Sequence, residues 1–264
     1  MFRVEIGKSL HRLRTWVFAA GLAGLAVLPV VVLATSNDAG GGPLFFDLIR
    51  RNGLFASLTV IALIQPFFLP LGTSILSGET VATEASGGTL RYLVVRPVGR
   101  VRLIVSKYLA VMTEVAAAIV WVMVIALVAG AIAFGYGPLP TLSGTTLTVG
   151  QGLVRILAVG AYVLCGMTGL AAVGVLISTL TSSGVGAAGA TMAIAIGSQI
   201  VDSLPAVQSI HPYLISHDWF AFADLFRSPV EWGAMAHGLL LDAAYLVLFL
   251  GAAIAVFSRK DVVS

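Results

Sequence analysis

Long apolar stretches, separated by short charged segments, dominate the chain. A helix that crosses a bilayer needs about 20 predominantly apolar residues. Residues 156–201 carry no formal charge and are long enough for two crossings, with a turn predicted at 181–184. Four further stretches of sufficient length lie at 16–34, 54–76, 108–134 and 234–257. The pattern predicts an all-α polytopic membrane protein in which one domain, 1–264, has six transmembrane helices.

The N-terminal segment, 1–15, carries a different pattern. Phe2, Ile6, Leu10 and Leu13 recur at steps of three and four, and charged residues occupy the opposite face. This periodicity predicts an amphipathic helix that lies on the membrane surface. The apolar core that follows is longer than that of a signal peptide and lacks a good cleavage site, so we expect the segment to be retained.

Composition and charge exclude a water-soluble protein and indicate an orientation. The chain is 58% hydrophobic and 10% charged, whereas soluble domains carry about 25% charged residues. Eleven of the 15 Lys and Arg residues lie in the N-terminal segment, in 77–107 and at the C-terminus. Because basic residues favour the cytoplasmic side, we predict a cell-membrane protein with both termini in the cytoplasm. This topology accounts for the net charge of +3 without nucleic-acid binding.

The segment 77–107 is the only sizeable cytoplasmic connection that the pattern predicts. Gly87 and Gly88 end one short helix, Thr89 can cap the next, and Arg96-Pro97 ends the second. Such a charged projection is either a solvated hairpin or a docking element for a soluble partner.

The motif within this segment resembles a known family. Residues 84–100 read EASGGTLRYLVVRPVGR and are followed by Lys107. This order resembles the cytoplasmic signature of ABC transporter permeases of the type-2 export class. The matching positions are Glu84, Thr89, Leu90, Arg91, Arg96, Pro97 and Arg100.

The resemblance implies a function and partners. The segment would be the coupling helix that docks on a separate ATPase subunit, which would bind ATP and Mg. This chain would pair with a second permease copy or paralogue and would form a pathway for an amphiphilic or hydrophobic substrate, such as a drug, an antibiotic or a lipid. Residues 202–233, rich in aromatic side chains, would form short re-entrant or interfacial helices that close the outer end of this pathway.

Motifs elsewhere indicate no chemistry on this chain. The sequence has no G-x-x-x-x-G-K-[ST] loop and no common hydrolase signature. The G-x-G-x-x-G pattern at 184–189 follows no predicted strand, so we interpret its glycines and the alanines after them as a close-packing stripe. We therefore expect no enzyme activity and no cofactor. The alternatives are a membrane-embedded lipid-modifying enzyme and a channel or secondary transporter.

Ionisable residues inside predicted spans are candidates for function because burial of charge is costly. Glu114, Arg155 and Asp242 are the gate candidates. Arg155 and Asp242 lie near the outer ends of their spans, so they either pair across the outer gate or bind headgroups and a hydroxyl separately.

Four polar residues of the segment 202–233 are candidate metal ligands. Their spacing matches no compact ligand set, so interfacial hydrogen bonding is the preferred interpretation and no metal is expected. These residues are His211, His217, Asp218 and Asp224. Cys165 lies in an apolar run and is interpreted as a core thiol.

The topology is testable by cysteine labelling. We expect an external reagent to modify cysteines introduced at Gly144 and Ser209 in intact cells, because both positions lie in predicted outer loops. Labelling of a cysteine at Gly87 from outside would contradict the predicted orientation.

Overall fold

The computed structural model describes residues 13–35, 45, 48–86 and 99–259. Two short 3-10 helices, Pro205–Tyr213 and Ala221–Phe226, and one antiparallel pair, β1 Leu139–Pro140 and β2 Thr146–Leu147, accompany the α-helices. Numbered in chain order, the α-helices are α1 Leu13–Thr35, α2 Phe55–Ile64, α3 Phe68–Ser86, α4 Arg100–Phe134, α5 Val149–Leu180, α6 Gly184–Asp202 and α7 Gly233–Arg259.

The protein is an all-α membrane protein. Five helices, namely α1, α4, α5, α6 and α7, are long and apolar enough to cross a bilayer, and the bent pair α2–α3 raises the number to six if it is one span. The amphipathic segment predicted at 1–15 lies almost entirely outside the described residues.

The second predicted span is broken instead of continuous. Helices α2 and α3 meet at an angle of 57° across Gln65, Pro66 and Phe67. Pro66 has no N–H to donate and its ring clashes with the preceding turn, so the helix bends there. The side chain of Gln199 in α6 donates to the Pro66 carbonyl at 2.8 Å and satisfies part of the exposed backbone.

Helices extend further than the apolar pattern predicted. Helix α3 continues to Ser86 and α4 begins at Arg100, so both helices enter the segment that was predicted as a cytoplasmic connection. At 1.5 Å per residue, α4 is about 52 Å long, which exceeds the hydrocarbon thickness of about 30 Å. The turn between α5 and α6 falls at 181–183, as predicted.

The helices run up and down, with alternate ends at the same side of the bundle. At one side the Arg100 guanidinium donates to the Ser258 carbonyl at 2.6 Å, which joins the start of α4 to the end of α7. At the other side the Asn52 amide donates to the Gly137 carbonyl at 2.7 Å, which joins the loop before α2 to the loop after α4. Helix α5 is central and packs against α3, α4, α6 and α7.

Close helix crossings occur mainly at glycines outside the predicted stripe. Gly78 in α3 lies against the backbone of Ala187 and Ala188 in α6, and the Gly53 backbone touches Gly130 in α4. Within the predicted packing stripe on α6 only the first glycine, Gly184, lies against α3. The rest of the stripe is wrong, because Gly189 and Gly197 meet no neighbouring atom and the buried face lies to one side of them. The stripe was inferred from spacing alone, which does not say which face of a helix is covered. Cys165 is exposed, which corrects the expectation of a core thiol.

Gly130 offers a test of the crossing between α4 and the start of α2. A Cβ atom at Gly130 would overlap the Gly53 carbonyl and would lie 2.9 Å from the Ala56 Cβ. Since overpacking of this kind costs about 1–3 kcal/mol, we expect Gly130→Ala to lower the midpoint of thermal unfolding in detergent. Gly189→Ala is the matched control, because its Cβ meets open space. Equal midpoints for the two variants would contradict the crossing.

Candidate functional site

Most of the predicted docking motif lies outside the described residues. Thr89, Leu90, Arg91, Arg96 and Pro97 fall within 87–98, so their structure is not described. The two ends of the segment are described, at Glu84 near the end of α3 and at Arg100, the first residue of α4. The geometry of these ends determines how the segment is attached to the bundle.

A buried ion pair joins the two helices that flank the segment. The Lys107 ammonium in α4 lies 2.8 Å from Oε1 of Glu84 in α3, and the two side chains are 5% and 17% exposed. Lys107 also donates to the Thr80 carbonyl of α3 at 2.7 Å. An ammonium with little access to water needs such acceptors, because burial of an unpaired charge is costly. The pair therefore fixes the position of α4 against the last two turns of α3.

The Ser178 hydroxyl attaches α5 to the same turns. It accepts hydrogen bonds from the Val81 and Ala82 amides at 3.0 and 2.9 Å, and it donates to the Gly78 carbonyl at 2.6 Å. These bonds use the one donor and two acceptor positions that a hydroxyl group has. The Ser178 hydroxyl therefore bonds to backbone groups of three residues within one turn of α3.

Together these contacts form one rigid connection, which we call the α3 junction. It consists of Gly78, Thr80, Glu84, Lys107 and Ser178. All of its polar contacts are buried or half-buried and come from two other helices. The last turns of α3 are therefore bonded to both α4 and α5.

Glu114 borders a cavity between α1, α3 and α4. The cavity has a volume of about 480 Å³. The half-buried Glu114 is the one charged residue among its walls within the described part of the chain. The other walls are mainly apolar and include the aromatic side chains of Trp16, Phe18 and Trp121. A volume of this size is in the range of small-molecule sites, about 300–1,000 Å³.

The predicted pair between Arg155 and Asp242 is wrong. Nη1 of Arg155 donates to the Leu225 and Arg227 carbonyls at 2.6 and 3.0 Å. Asp242 instead lies beside Gly166 and Gly169, about 16–21 Å further along α5 at 1.5 Å per residue. The prediction considered depth along each helix, whereas the loop after α6 supplies carbonyl acceptors nearer to Arg155.

A comparison with protein families identifies the chain. A family model with the description "Protein of unknown function (DUF2705)" matches residues 27–263. The chain belongs to this family. No curated protein matches the sequence of this DUF2705 protein. The α3 junction, the Asp242 region and helices α2 to α7 all lie within the matched residues.

Polar residues of the segment 202–233 in the DUF2705 protein form carboxylate–histidine pairs. Nδ1 of His217 lies 2.7 Å from Oδ1 of Asp202, and Nδ1 of His211 lies 3.7 Å from the same oxygen. Asp218 contacts His237 in α7 at 2.6 Å. Among the described residues no group of three or more His, Cys, Asp or Glu side chains is placed to hold a metal ion.

Asp224, the fourth residue considered as a metal ligand, belongs to an exposed ion pair. Its carboxylate accepts a hydrogen bond from Nε of Arg227 at 2.7 Å. This hydrogen bond, with the nearby charge of Glu231, raises the pKa of Arg227 above its ordinary value. The interpretation of these outer residues as hydrogen-bonding groups agrees with the geometry.

Three residues of the site had no clear signal in the sequence. Ser178 lies within a long uncharged stretch, where a hydroxyl group gives no indication of its partner. His237 and Trp219 lie far from their partners along the chain, so only the fold brings them to Asp218 and Asp242.

The ion pair at the α3 junction can be tested by a double-mutant cycle. Loss of one member of a buried pair costs about 3–5 kcal/mol, so we expect Lys107→Met and Glu84→Gln each to destabilise the protein in detergent. The double variant should lose clearly less than the sum, with a coupling of at least about 1 kcal/mol.

The exposed pair Arg227 and Asp224 is the matched control for this cycle. Its guanidinium is 47% exposed, and exposed pairs contribute about 0–1 kcal/mol. A coupling at Lys107 and Glu84 no larger than that at the control pair would contradict the junction.

Proposed function

We propose that this DUF2705 protein is the transmembrane permease subunit of an ATP-driven exporter. The residue motif at 84–100 supports this proposal, as does the attachment of its two ends to the bundle. ATP and Mg would bind to a separate ATPase subunit, and a second permease copy or paralogue would complete the pathway. The distribution of Lys and Arg supports a cell-membrane location with both termini in the cytoplasm.

The α3 junction is the observation that carries the proposal. An element that couples ATP hydrolysis to transport must move the spans when its partner moves. Glu84, at the start of the motif, is in direct contact with Lys107, seven residues after the motif ends, and Ser178 joins the same turns to α5. A displacement at 87–98 would therefore shift α3, α4 and α5 together.

The cavity between α1, α3 and α4 supports the proposal that the substrate is amphiphilic or hydrophobic. Its walls are mainly apolar, with Glu114 as the charged group at one side. Helix α3 contributes Gly72, Ile75 and Leu76 to these walls, one to three turns before the junction. Movement of α3 would thus change the shape of the cavity, which links the proposed docking segment to the proposed substrate site.

The alternative of a membrane-embedded enzyme has less support. It would use His211, His217 and Asp218 as a catalytic group. His211 and His217 share Asp202, whereas Asp218 pairs with His237. The carboxylate of Asp218 and the imidazoles of His211 and His217 therefore have different partners and do not form one group.

Charge reversal in the docking motif tests the proposal. We expect the double variant Arg91→Glu and Arg96→Glu to insert normally but to retain at least about tenfold less ATPase subunit after purification. Like charges brought together at an interface cost several kcal/mol, and each 1.4 kcal/mol corresponds to a factor of about ten. The measurement is the ATPase activity and subunit ratio of the tagged complex.

Arg51→Glu is the control for this experiment, because Arg51 is exposed at the opposite end of the bundle. It should leave complex assembly unchanged. Full assembly and full substrate-stimulated ATPase activity in the double variant would refute the docking assignment.

A further inference from the structure

Residues 214–220 insert between α5 and α7 near the outer histidines. The Ser216 hydroxyl anchors this turn to Ser198 of α6 at 2.6 Å. Two further residues of this turn, Asp218 and Trp219, then point between the two helices. The Tyr162 hydroxyl of α5 donates to the Asp218 carbonyl at 2.7 Å, and the Asp218 side chain contacts His237 of α7.

Trp219 and Asp242 form a second, deeper layer about one helical turn below. Trp219 is 2% exposed and Asp242 is 7% exposed. A Cβ atom at Gly166 would lie 3.8 Å from both the indole Nε1 of Trp219 and Oδ2 of Asp242. A Cβ atom at Gly169 would lie 3.2 Å from Oδ1 of the same carboxyl group. The indole N–H and the carboxyl group therefore converge on one glycine-lined stretch of α5.

Both polar groups in this layer are buried without a partner. Nε1 of Trp219 and Oδ1 of Asp242 make no hydrogen bond within the described residues. Leaving a buried donor or acceptor unsatisfied costs about 1–3 kcal/mol each. One is a donor and the other an acceptor, and Oδ2 of the same carboxyl group faces the same point at Gly166 as the indole N–H.

The surroundings of Asp242 offer no positive charge. No Lys or Arg of the described residues forms an ion pair with it. His237, one turn away on α7, is paired with Asp218, and Asp224 on the adjoining 3-10 helix is paired with Arg227. The other titratable groups that face Asp242 are Tyr108 of α4, Tyr162 and Cys165 of α5, and Tyr245 of α7.

We propose that Asp242 binds a proton and that one water molecule bridges its carboxyl group to the indole N–H of Trp219. The water oxygen accepts the hydrogen bond from Nε1, and a water proton is donated to the carboxyl oxygen. The bound proton keeps a negative charge out of the contact between α5 and α7, which pack across Gly166 and Gly169. This packing is therefore proton-dependent, and the inference does not depend on the proposed ATPase partner.

Infrared spectroscopy of the full-length protein at neutral pH tests the bound proton. A protonated carboxyl group gives a C=O stretching band that is separate from those of carboxylates and amides. We expect this band in the wild-type protein and its loss in Asp242→Asn. It should persist in Asp224→Asn, since the carboxylate of Asp224 is paired with the guanidinium of Arg227 and lies apart from Asp242. A band of equal intensity in Asp242→Asn would overturn the proposal.

Two further measurements test the proposal even if the Asp242→Asn variant does not fold. Incorporation of ¹³C-carboxyl aspartate into the wild-type protein should shift the band, and an unshifted band would assign it to a glutamate and refute the proton site. Trp219→Phe removes the indole N–H, so the band should move to higher frequency as the bridging water is lost. An unchanged frequency in Trp219→Phe would exclude the water bridge.

Discussion

The structure depends most on the need to satisfy buried backbone groups at the end of α3. Water is scarce inside a membrane protein, so each backbone N–H and C=O group must find a partner within the protein. Here the carbonyls of Gly78 and Thr80 are bonded by Ser178 and Lys107, which belong to two other helices. The last turns of α3 cannot move without breaking these bonds or carrying α4 and α5 with them.

The bundle thus has two polar centres of opposite character. At the α3 junction the ammonium group has two acceptors and the hydroxyl group uses its donor and both acceptor positions, so three helices are joined there. Between α5 and α7, Trp219 and Asp242 leave hydrogen-bonding capacity unused within the described residues. Helix α5 belongs to both centres, with Ser178 near one end and Gly166 nearer the other. A movement of α5 that starts at the junction would therefore change the environment of Asp242.

The sequence predicted those features that depend on the total apolar length of a segment. It located the turn at 181–183 and most of the long helices, because a span must cover a fixed hydrocarbon thickness. It failed where the outcome depends on which helix face is covered. The small-residue stripe on α6 faces away from the bundle, and the partners of Arg155 are backbone carbonyls of a loop. The second span was predicted as continuous because its residues are apolar throughout. Pro66 is the residue in the sequence that accounts for the break, and the prediction did not use it.

The candidate site was also predictable only in part, because some of its contacts depend on how the helices pack. Glu84 and Lys107 were identified by their order along the chain, and the structure brings them together. Ser178 lies about a hundred residues away from its partners in α3, and hydroxyl groups occur at many places in apolar helices. Its role follows from helix packing, which brings α3 close to its neighbours at Gly78 and Gly174, because these residues have no side chain.

Site-specific photo-cross-linking tests the central claim, that the segment held by the α3 junction docks on an ATPase subunit. A photoreactive amino acid would be placed at Val94 and, as a control on the exposed outer 3-10 helix, at Ser209. We predict that only the Val94 probe forms a covalent product with a subunit that carries a phosphate-binding loop and hydrolyses ATP. Irradiation that gives no such product at Val94, or the same product at both positions, would contradict the account.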